Sequence, residues 1–254
     1  VVYAEKTLMA GFTTVRNLGD VFNETVALRK AINKGTVIGP RIYTAAKSIA
    51  TTGGHADPTN SLSKHLMGSP QPVDGVINGV AQAREAVRQR YKDGADLIKI
   101  TSTGGVLTDR ATGTGQQMEM DELKEVVLAA KRMGRKVASH AHHEDGIIAA
   151  LEAGVDSIEH GSYTGKAAIK LFKKSGAYLV PTLLAGHTVL KMTESSDFMS
   201  AAIKNKAKKV GVEMQAIRVG EFKGAVEPYT TNKISEENKR QVQAYLDEIY
   251  NIFL

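Results

Sequence analysis

Residues 136–161 read KVASHAHHEDGIIAALEAGVDSIEHG, and this stretch decides the fold. It contains two short runs of strand-forming residues, Val137–His140 and Ser157–His160, each of which ends in a histidine. Apolar residues between the runs recur at helical spacing, and Gly154 ends the helix because glycine enters the left-handed conformation without a Cβ penalty. The stretch therefore predicts a β-α-β unit whose two terminal histidines lie at the same rim, as potential metal ligands.

The same sequence of helix, glycine and strand recurs along the chain. It predicts further strands at Thr13–Asn17, Arg41–Ala46, Asp96–Thr101 and, after Gly176, in AYLVPTLL at 177–184. These strands are continuous apolar runs, as in a parallel sheet that is covered on both faces. Two architectures fit six such units, a doubly wound open sheet and a (β/α)8 barrel. No glycine-rich nucleotide fingerprint follows any strand, and candidate groups at the ends of several strands favour an α/β, TIM-barrel-like fold.

Two connections and the C-terminal region interrupt this pattern. The connections 47–72 and 102–116 are long enough to be binding loops, and both leave strand ends on the rim predicted for the two histidines. The pattern stops after Ala216, so we predict a barrel domain at 1–216 and a divergent tail at 217–254. In the tail, Ser235 is expected to cap an amphipathic helix whose apolar stripe covers the barrel end or a partner chain.

Composition argues against several classes of function. The net charge of +6 is spread along the helical segments and aromatic residues make up 6% of the chain, so we expect no nucleic-acid partner. No apolar run approaches the roughly 20 residues of a membrane span, and we expect no membrane partner. The absence of cysteine excludes thiolate metal sites and a cysteine nucleophile. The N-terminus lacks a signal-peptide pattern, which favours a cytoplasmic location, and it begins without Met, as in a processed or truncated chain.

Lys99 is the first candidate for chemistry, because it lies among apolar residues of a strand expected to be buried. A charged lysine is costly there unless it is paired. One interpretation is that Lys99 points to the open end of its strand and pairs with a carboxylate. The other is that the neutral amine reacts with carbon dioxide to form a carbamate, whose anionic oxygens are metal ligands.

The histidines are the second group of candidates. His140 and His160 are potential ligands, since neutral imidazole is the commonest protein ligand of zinc, manganese and nickel. His142 lies two residues beyond His140 and is expected on the same side of the strand, whereas His143 is expected to face solvent. His55, in the motif TGGHAD of the first long connection, is either a substrate contact or an ordinary surface residue.

These motifs, in this order, resemble a known group of enzymes. The segments LIKI (97–100), SHAH (139–142) and IEHG (158–161) resemble the amidohydrolase superfamily of metal-dependent hydrolases. The likeness is closest to the imidazolonepropionase-like branch, which includes prolidase-type dipeptidases and zinc carboxypeptidases. AGFTTVRNLGD, GADLIKI and LVPTLL also follow the pattern of that branch, so the resemblance spans roughly 1–216.

The resemblance implies a metal-dependent hydrolase of amide bonds with two divalent ions, zinc being favoured. Lys99 would carry a carbamate that bridges the two ions, and His140 and His160 would bind the second ion. Many relatives have Tyr at the position of His142, where it contacts the substrate carboxylate, so we expect His142 to bind substrate. His55 is the second expected substrate contact, on the ground of its loop motif. The implied substrate is a small peptide-like molecule or an N-acyl amino acid, and a homo-oligomer is possible.

The chain also departs from the pattern of that superfamily. No HxH pair precedes the first strand, and no Asp corresponds to the general base at the end of the eighth strand, because Asp247 falls in the terminal helix. The resemblance therefore corresponds to strands 2 to 7 of the barrel, and the catalytic base stays unassigned. Two alternatives remain: a non-catalytic barrel fragment or scaffold that lacks the HxH pair and the Asp, and a metal-free phosphate-binding enzyme that uses Ser102–Gly105.

Overall fold

The computed structural model describes residues 1–108, 113–195 and 199–210, together with the single residues Glu236 and Arg240. The predicted tail at 217–254, with the helix expected to begin at Ser235, otherwise lies outside the described residues.

Helices and parallel strands alternate along the chain. The strands are β1 (Thr14–Asn17), β2 (Arg41–Thr44), β3 (Ala50–Thr51), β4 (Val76–Ile77), β5 (Leu97–Thr101), β6 (Lys136–Ala141), β7 (Ser157–His160) and β8 (Tyr178–Val180). The helices are α1 (Val2–Met9), α2 (Glu24–Asn33), α3 (Lys64–Met67), α4 (Val80–Asp93), α5 (Met120–Arg132), α6 (Glu144–Ala153), α7 (Lys166–Ser175), α8 (Leu183–Ser195) and α9 (Ala201–Val210), with a 3-10 turn at Pro72–Asp74. Within the described ranges no helix has the length and apolar character needed to cross a membrane.

Six parallel strands lie side by side in chain order, as the sequence predicts, but the last is shorter than the predicted segment: β8 ends at Val180, before Pro181, and Leu183 already begins α8. β1 pairs with β2, and β5, β6, β7 and β8 form a continuous four-stranded sheet. The first pair joins this sheet because the Asp96 N–H donates to the Thr44 carbonyl at 2.7 Å and Ile49 bridges to Ile100. The short pair β3–β4 lies in the connection after β2 and was not predicted. A strand order that never reverses is that of a barrel, because a doubly wound sheet changes direction at a switch point.

The core follows from the continuous apolar runs. All five residues of β5 and the last five of β6 are buried. Ile98, Leu123, Ile147 and Ile158 are fully buried and pack between the sheet and its helices. Each such side chain contributes about 1.5–3 kcal/mol to folding. Ordinary hydrophobic burial therefore holds this part of the barrel together, and the polar groups inside it need a separate explanation.

The two outer strands mark the edges of a partial barrel. Among the described residues, no strand pairs with the outer edge of β1 or of β8. Large apolar side chains are exposed near both edges, including Phe12, Phe22, Tyr178 and Leu184.

Candidate metal and substrate site

The rim histidines of β6 and β7 come together as the sequence predicts. His140, His142 and His160 each offer one ring nitrogen, and these three atoms lie within 4.8 Å of one another. The rings of His142 and His160 stack at 4.9 Å between centroids, and His140 meets each of them edge-on at 4.7 Å. We call these three residues the histidine cluster. His143 is exposed, as expected, and caps α6.

The backbone at the end of β7 is strained where it presents His160. The register of β7 against β6 places His160 opposite Ala141, and His160 has φ of 75°. A non-glycine residue in this left-handed region costs of the order of 1 kcal/mol and persists at positions where function requires it. The next residue, Gly161, continues the turn with φ of 59° and donates its N–H to the Ala141 carbonyl at 2.9 Å.

Each ring of the cluster is held by one of its nitrogens. His140 Nε2 contacts the Gly104 carbonyl at 3.1 Å, His142 Nδ1 contacts Ser162 Oγ at 2.8 Å, and His160 Nδ1 contacts Thr182 Oγ1 at 2.6 Å. The other ring nitrogen makes no hydrogen bond to any residue that the structure describes. Metal-binding histidines show this pattern, in which one nitrogen is oriented by a neighbour and the other is left for the ion.

Burial keeps the cluster uncharged. Desolvation is the main cause that lowers the pKa of His142 to about 3 and that of His160 to about 4. It also lowers the pKa of His140 well below the usual value, with neighbouring histidines and Lys99 adding to the effect. All three rings are therefore neutral at neutral pH, the form that binds a metal.

His55 lies beside the cluster and not on a remote surface loop. Its ring stacks on that of His140 at 4.3 Å, and its Nδ1 contacts Thr108 Oγ1 at 2.6 Å. Its backbone N–H donates to Gln117 Oε1 at 2.9 Å. A methyl group at Gly105 would overlap the His55 ring, so glycine is needed there for the close approach. The two long connections predicted to carry function thus meet at the rim.

Lys99 lies below the rim in the middle of β5. Its side chain is buried, and it forms no hydrogen bond or ion pair with a described residue, contrary to the interpretation in which it pairs with a carboxylate. Burial lowers its pKa from 10.5 to about 7, while the nearby Glu159 carboxylate acts in the opposite direction.

The carboxylate near Lys99 is already occupied by an arginine from the other side of the barrel. Both oxygens of Glu159 accept from Arg16 Nη2, at 3.0 and 3.1 Å, and Ser157 Oγ donates to Glu159 Oε1 at 2.7 Å. Arg16 Nη1 also donates to Ser157 Oγ at 3.2 Å. This pair joins β1 to β7 over 143 residues of sequence. No local sequence pattern indicates this pair.

His55 also lines a cleft formed with residues that follow β1 and β2. The cleft has a volume of about 490 Å³ and is lined by Asp20, Phe22, Lys47, His55, Asp57 and Pro70, among others. This volume is in the range of small-molecule sites.

Comparison with known proteins identifies the chain. The model of the Amidohydrolase family matches residues 2–242. The chain belongs to this family. Its fold matches a crystal structure of a Xaa-Pro dipeptidase with bound methionine, with a TM-score of 0.80 and 48% identity over 83% of this chain and 52% of that one. A prolidase complexed with N-methylphosphonate-L-proline gives a TM-score of 0.70 and 31% identity over 82% of this chain and 51% of that one.

A curated relative is ochratoxinase from Aspergillus niger, which is 34% identical over 188 residues, 70% of this chain and 38% of that protein. Its crystal structure superposes with a TM-score of 0.69. The chain thus spans about half the length of the solved relatives and less of the curated one. The predicted superfamily, the prolidase-type branch and the partial TIM-barrel-like fold are confirmed.

Proposed function

We propose that this amidohydrolase chain carries part of a divalent-metal centre, formed by Lys99, His140 and His160, of an enzyme that hydrolyses amide bonds in small peptide-like substrates. The proposal rests on one observation above all. Three neutral histidines at the rim each offer one ring nitrogen, and these nitrogens lie within 4.8 Å of one another. A buried lysine without a described ion pair lies on the strand next to β6.

The donor set fits a metal ion. Nitrogen ligands from neutral imidazoles suit zinc, which we favour, and also manganese or nickel. Divalent ions at such a site supply Lewis acidity, and they lower the pKa of water. Gly104, Ser162 and Thr182 position the three imidazoles, and packing buries His140 and His142.

Carboxylation of Lys99 would supply the anionic ligand that the histidines lack. With a pKa of about 7, a large fraction of the amine is unprotonated at neutral pH. The neutral amine can attack carbon dioxide, forming a nitrogen–carbon bond and releasing one proton, and the product is a carbamate. Glu159, whose charge favours the ammonium form of Lys99, is bonded to Arg16 through both of its oxygens and makes no direct ion pair with the lysine. These features support a carbamate on Lys99, which would offer anionic oxygens to divalent ions held with His140 and His160.

His142 and His55 are proposed to contact the substrate. The His142 ring belongs to the cluster and the His55 ring stacks on His140, and each keeps one nitrogen without a described hydrogen-bond partner. His55 also lines the 490 Å³ cleft, which can take a group of amino-acid size. Relatives described as a Xaa-Pro dipeptidase and a prolidase support a dipeptide substrate, and N-acyl amino acids remain the second class. The general base is not among the residues assigned here.

Hydrolysis assays with metal exchange test this proposal. The intact protein is assayed with a panel of dipeptides and N-acyl amino acids, before and after chelation and again after zinc is restored. We expect cleavage that chelation abolishes and zinc restores, with a carbamate signal after incubation with isotope-labelled bicarbonate. Absence of cleavage, metal and carbamate would instead favour a non-catalytic barrel.

A metal-free phosphate-binding enzyme is the other alternative. It predicts activity that resists chelation and protection against heat by phosphate. The structure gives it little support, because Ser102 Oγ bonds to Ser139 Oγ at 2.5 Å and Thr103 Oγ1 accepts from the His142 N–H at 3.0 Å, so both hydroxyl groups are engaged inside the protein.

A further inference from the structure

A lysine from α9 reaches into the backbone beside the histidine cluster. Lys206 is only 7% exposed, although it belongs to an amphipathic helix with two exposed lysines, Lys208 and Lys209. Its Nζ donates to the Gly105 carbonyl at 3.1 Å and also to the Thr108 carbonyl. A Cβ at Gly113 would overlap the stem of Lys206, so that backbone packs directly against it.

The backbone that Lys206 binds is the one that holds two histidines of the site. Thr108 contacts His55 through its hydroxyl, and Gly105 packs against the His55 ring. The preceding carbonyl, that of Gly104, contacts His140 Nε2 at 3.1 Å. The two residues that Lys206 binds, Gly105 and Thr108, both contact His55, and Gly105 directly follows the residue that contacts His140.

Packing alone does not explain a lysine at this position. A buried ammonium group is costly unless its hydrogen bonds are satisfied, and a methionine would fill a similar volume without that cost. What the ammonium adds is directional bonding to two carbonyl groups from a helix about 100 residues further along the chain. We infer that Lys206 is a positioning residue, which orients His55 and His140 by fixing the backbone at Gly105 and Thr108.

This inference rests on the proposed function of the cluster, since His140 is a proposed ligand. Removal of residues that orient metal ligands typically lowers metal affinity by 10- to 100-fold. Lys206 acts through backbone groups, so we expect Lys206→Met to lower zinc affinity by about tenfold, at the low end of that range.

The test compares Lys206→Met with Lys206→Arg, which keeps a cationic donor, and with Lys208→Met, an exposed lysine of the same helix. Imidazole NMR signals of isotope-labelled protein are recorded without metal, and the His55 signal is identified from its loss in His55→Gln. We expect Lys206→Met to shift the His55 and His140 signals, Lys206→Arg to restore them at least in part, and Lys208→Met to leave them unchanged.

Unchanged His55 and His140 signals in folded Lys206→Met would overturn the inference, even if the variant were less stable. So would equal shifts in Lys208→Met. If Lys206→Met does not fold, Lys206→Gln is measured in its place, because the glutamine amide can still donate to one carbonyl. The shifts of the His55 and His140 signals are then interpreted in the same way. The NMR readout needs neither metal nor substrate, so a failure of the proposed function would show separately, as absent zinc binding in the unsubstituted protein.

Discussion

Replacing Lys99 by methionine should stabilise the metal-free protein. The pKa of Lys99 is lowered from 10.5 to about 7, mainly by burial. Since each tenfold change in an equilibrium is worth about 1.4 kcal/mol, this difference corresponds to about 5 kcal/mol as an upper bound. Relaxation around the amine reduces the figure, and we expect a gain of roughly 1–4 kcal/mol in the free energy of unfolding, as for other buried charges replaced by apolar residues.

The pH dependence of this gain follows from the direction of the pKa change. Between pH 7 and pH 10.5 the unfolded chain binds a proton at Lys99 that the folded chain has lost, so the stability of the unsubstituted protein rises with pH across this window. The advantage of Lys99→Met should therefore be largest at or below about pH 7 and should shrink towards pH 10. Glu159 keeps its partner Arg16 in the variant, so no carboxylate is left unpaired.

Urea unfolding at neutral pH measures the gain, in buffer that contains chelator and lacks bicarbonate. Lys170→Met, which replaces an exposed lysine of α7, is the matched control and should change stability by less than about 0.5 kcal/mol. A Lys99→Met protein that is less stable than the unsubstituted one would refute the reasoning, because it would show that the buried amine makes a favourable interaction in the metal-free state.

Three further predictions concern the groups around Lys99. Arg16→Met should lower the free energy of unfolding by roughly 1–3 kcal/mol, because it leaves the buried Glu159 carboxylate unpaired. Adding Glu159→Gln to Arg16→Met should recover most of this loss in chemical unfolding. Equal stability of the single and the double variant would contradict the prediction. In buffer with chelator, the free energy of unfolding should fall as pH drops from 6.5 towards 4, because His55 and His142 bind protons in the unfolded chain but stay neutral in the folded one. His142→Asn should reduce this dependence of the free energy of unfolding on pH. Gly105→Ala should displace the His55 ring and lower kcat/KM by at least about tenfold with the fold retained, as circular dichroism can show; unchanged kinetics would argue against a role for His55.

Local pattern was sufficient to predict the strands and their histidines. The runs that became β5, β6 and β7 contain strand-forming apolar residues that are buried, and they follow or precede helices that end at glycine, as at Gly154 with φ of 93°. Chain order then places the carboxyl ends of neighbouring parallel strands at one rim, so His140 and His160 had to approach each other. The pair β3–β4 could not be predicted, because two residues per strand give no periodic signal.

Contacts between distant segments were beyond prediction from pattern. Arg16 meets Glu159 across 143 residues, and Lys206 meets Gly105 across 101. Neither residue stands out locally, because charged side chains at a strand end or on an amphipathic helix are ordinarily solvated. For His55, the motif TGGHAD left two interpretations open, and only the stacking on His140 places the ring beside the cluster.

Equilibrium dialysis against zinc tests the metal centre directly. The unsubstituted chain should bind zinc at a saturable site, and both His160→Gln and Lys99→Met should weaken binding by tenfold or more. His143→Gln, which replaces the exposed histidine that caps α6, should bind as the unsubstituted chain does. No saturable zinc binding, or binding that survives both His160→Gln and Lys99→Met unchanged, would contradict a metal centre at this rim.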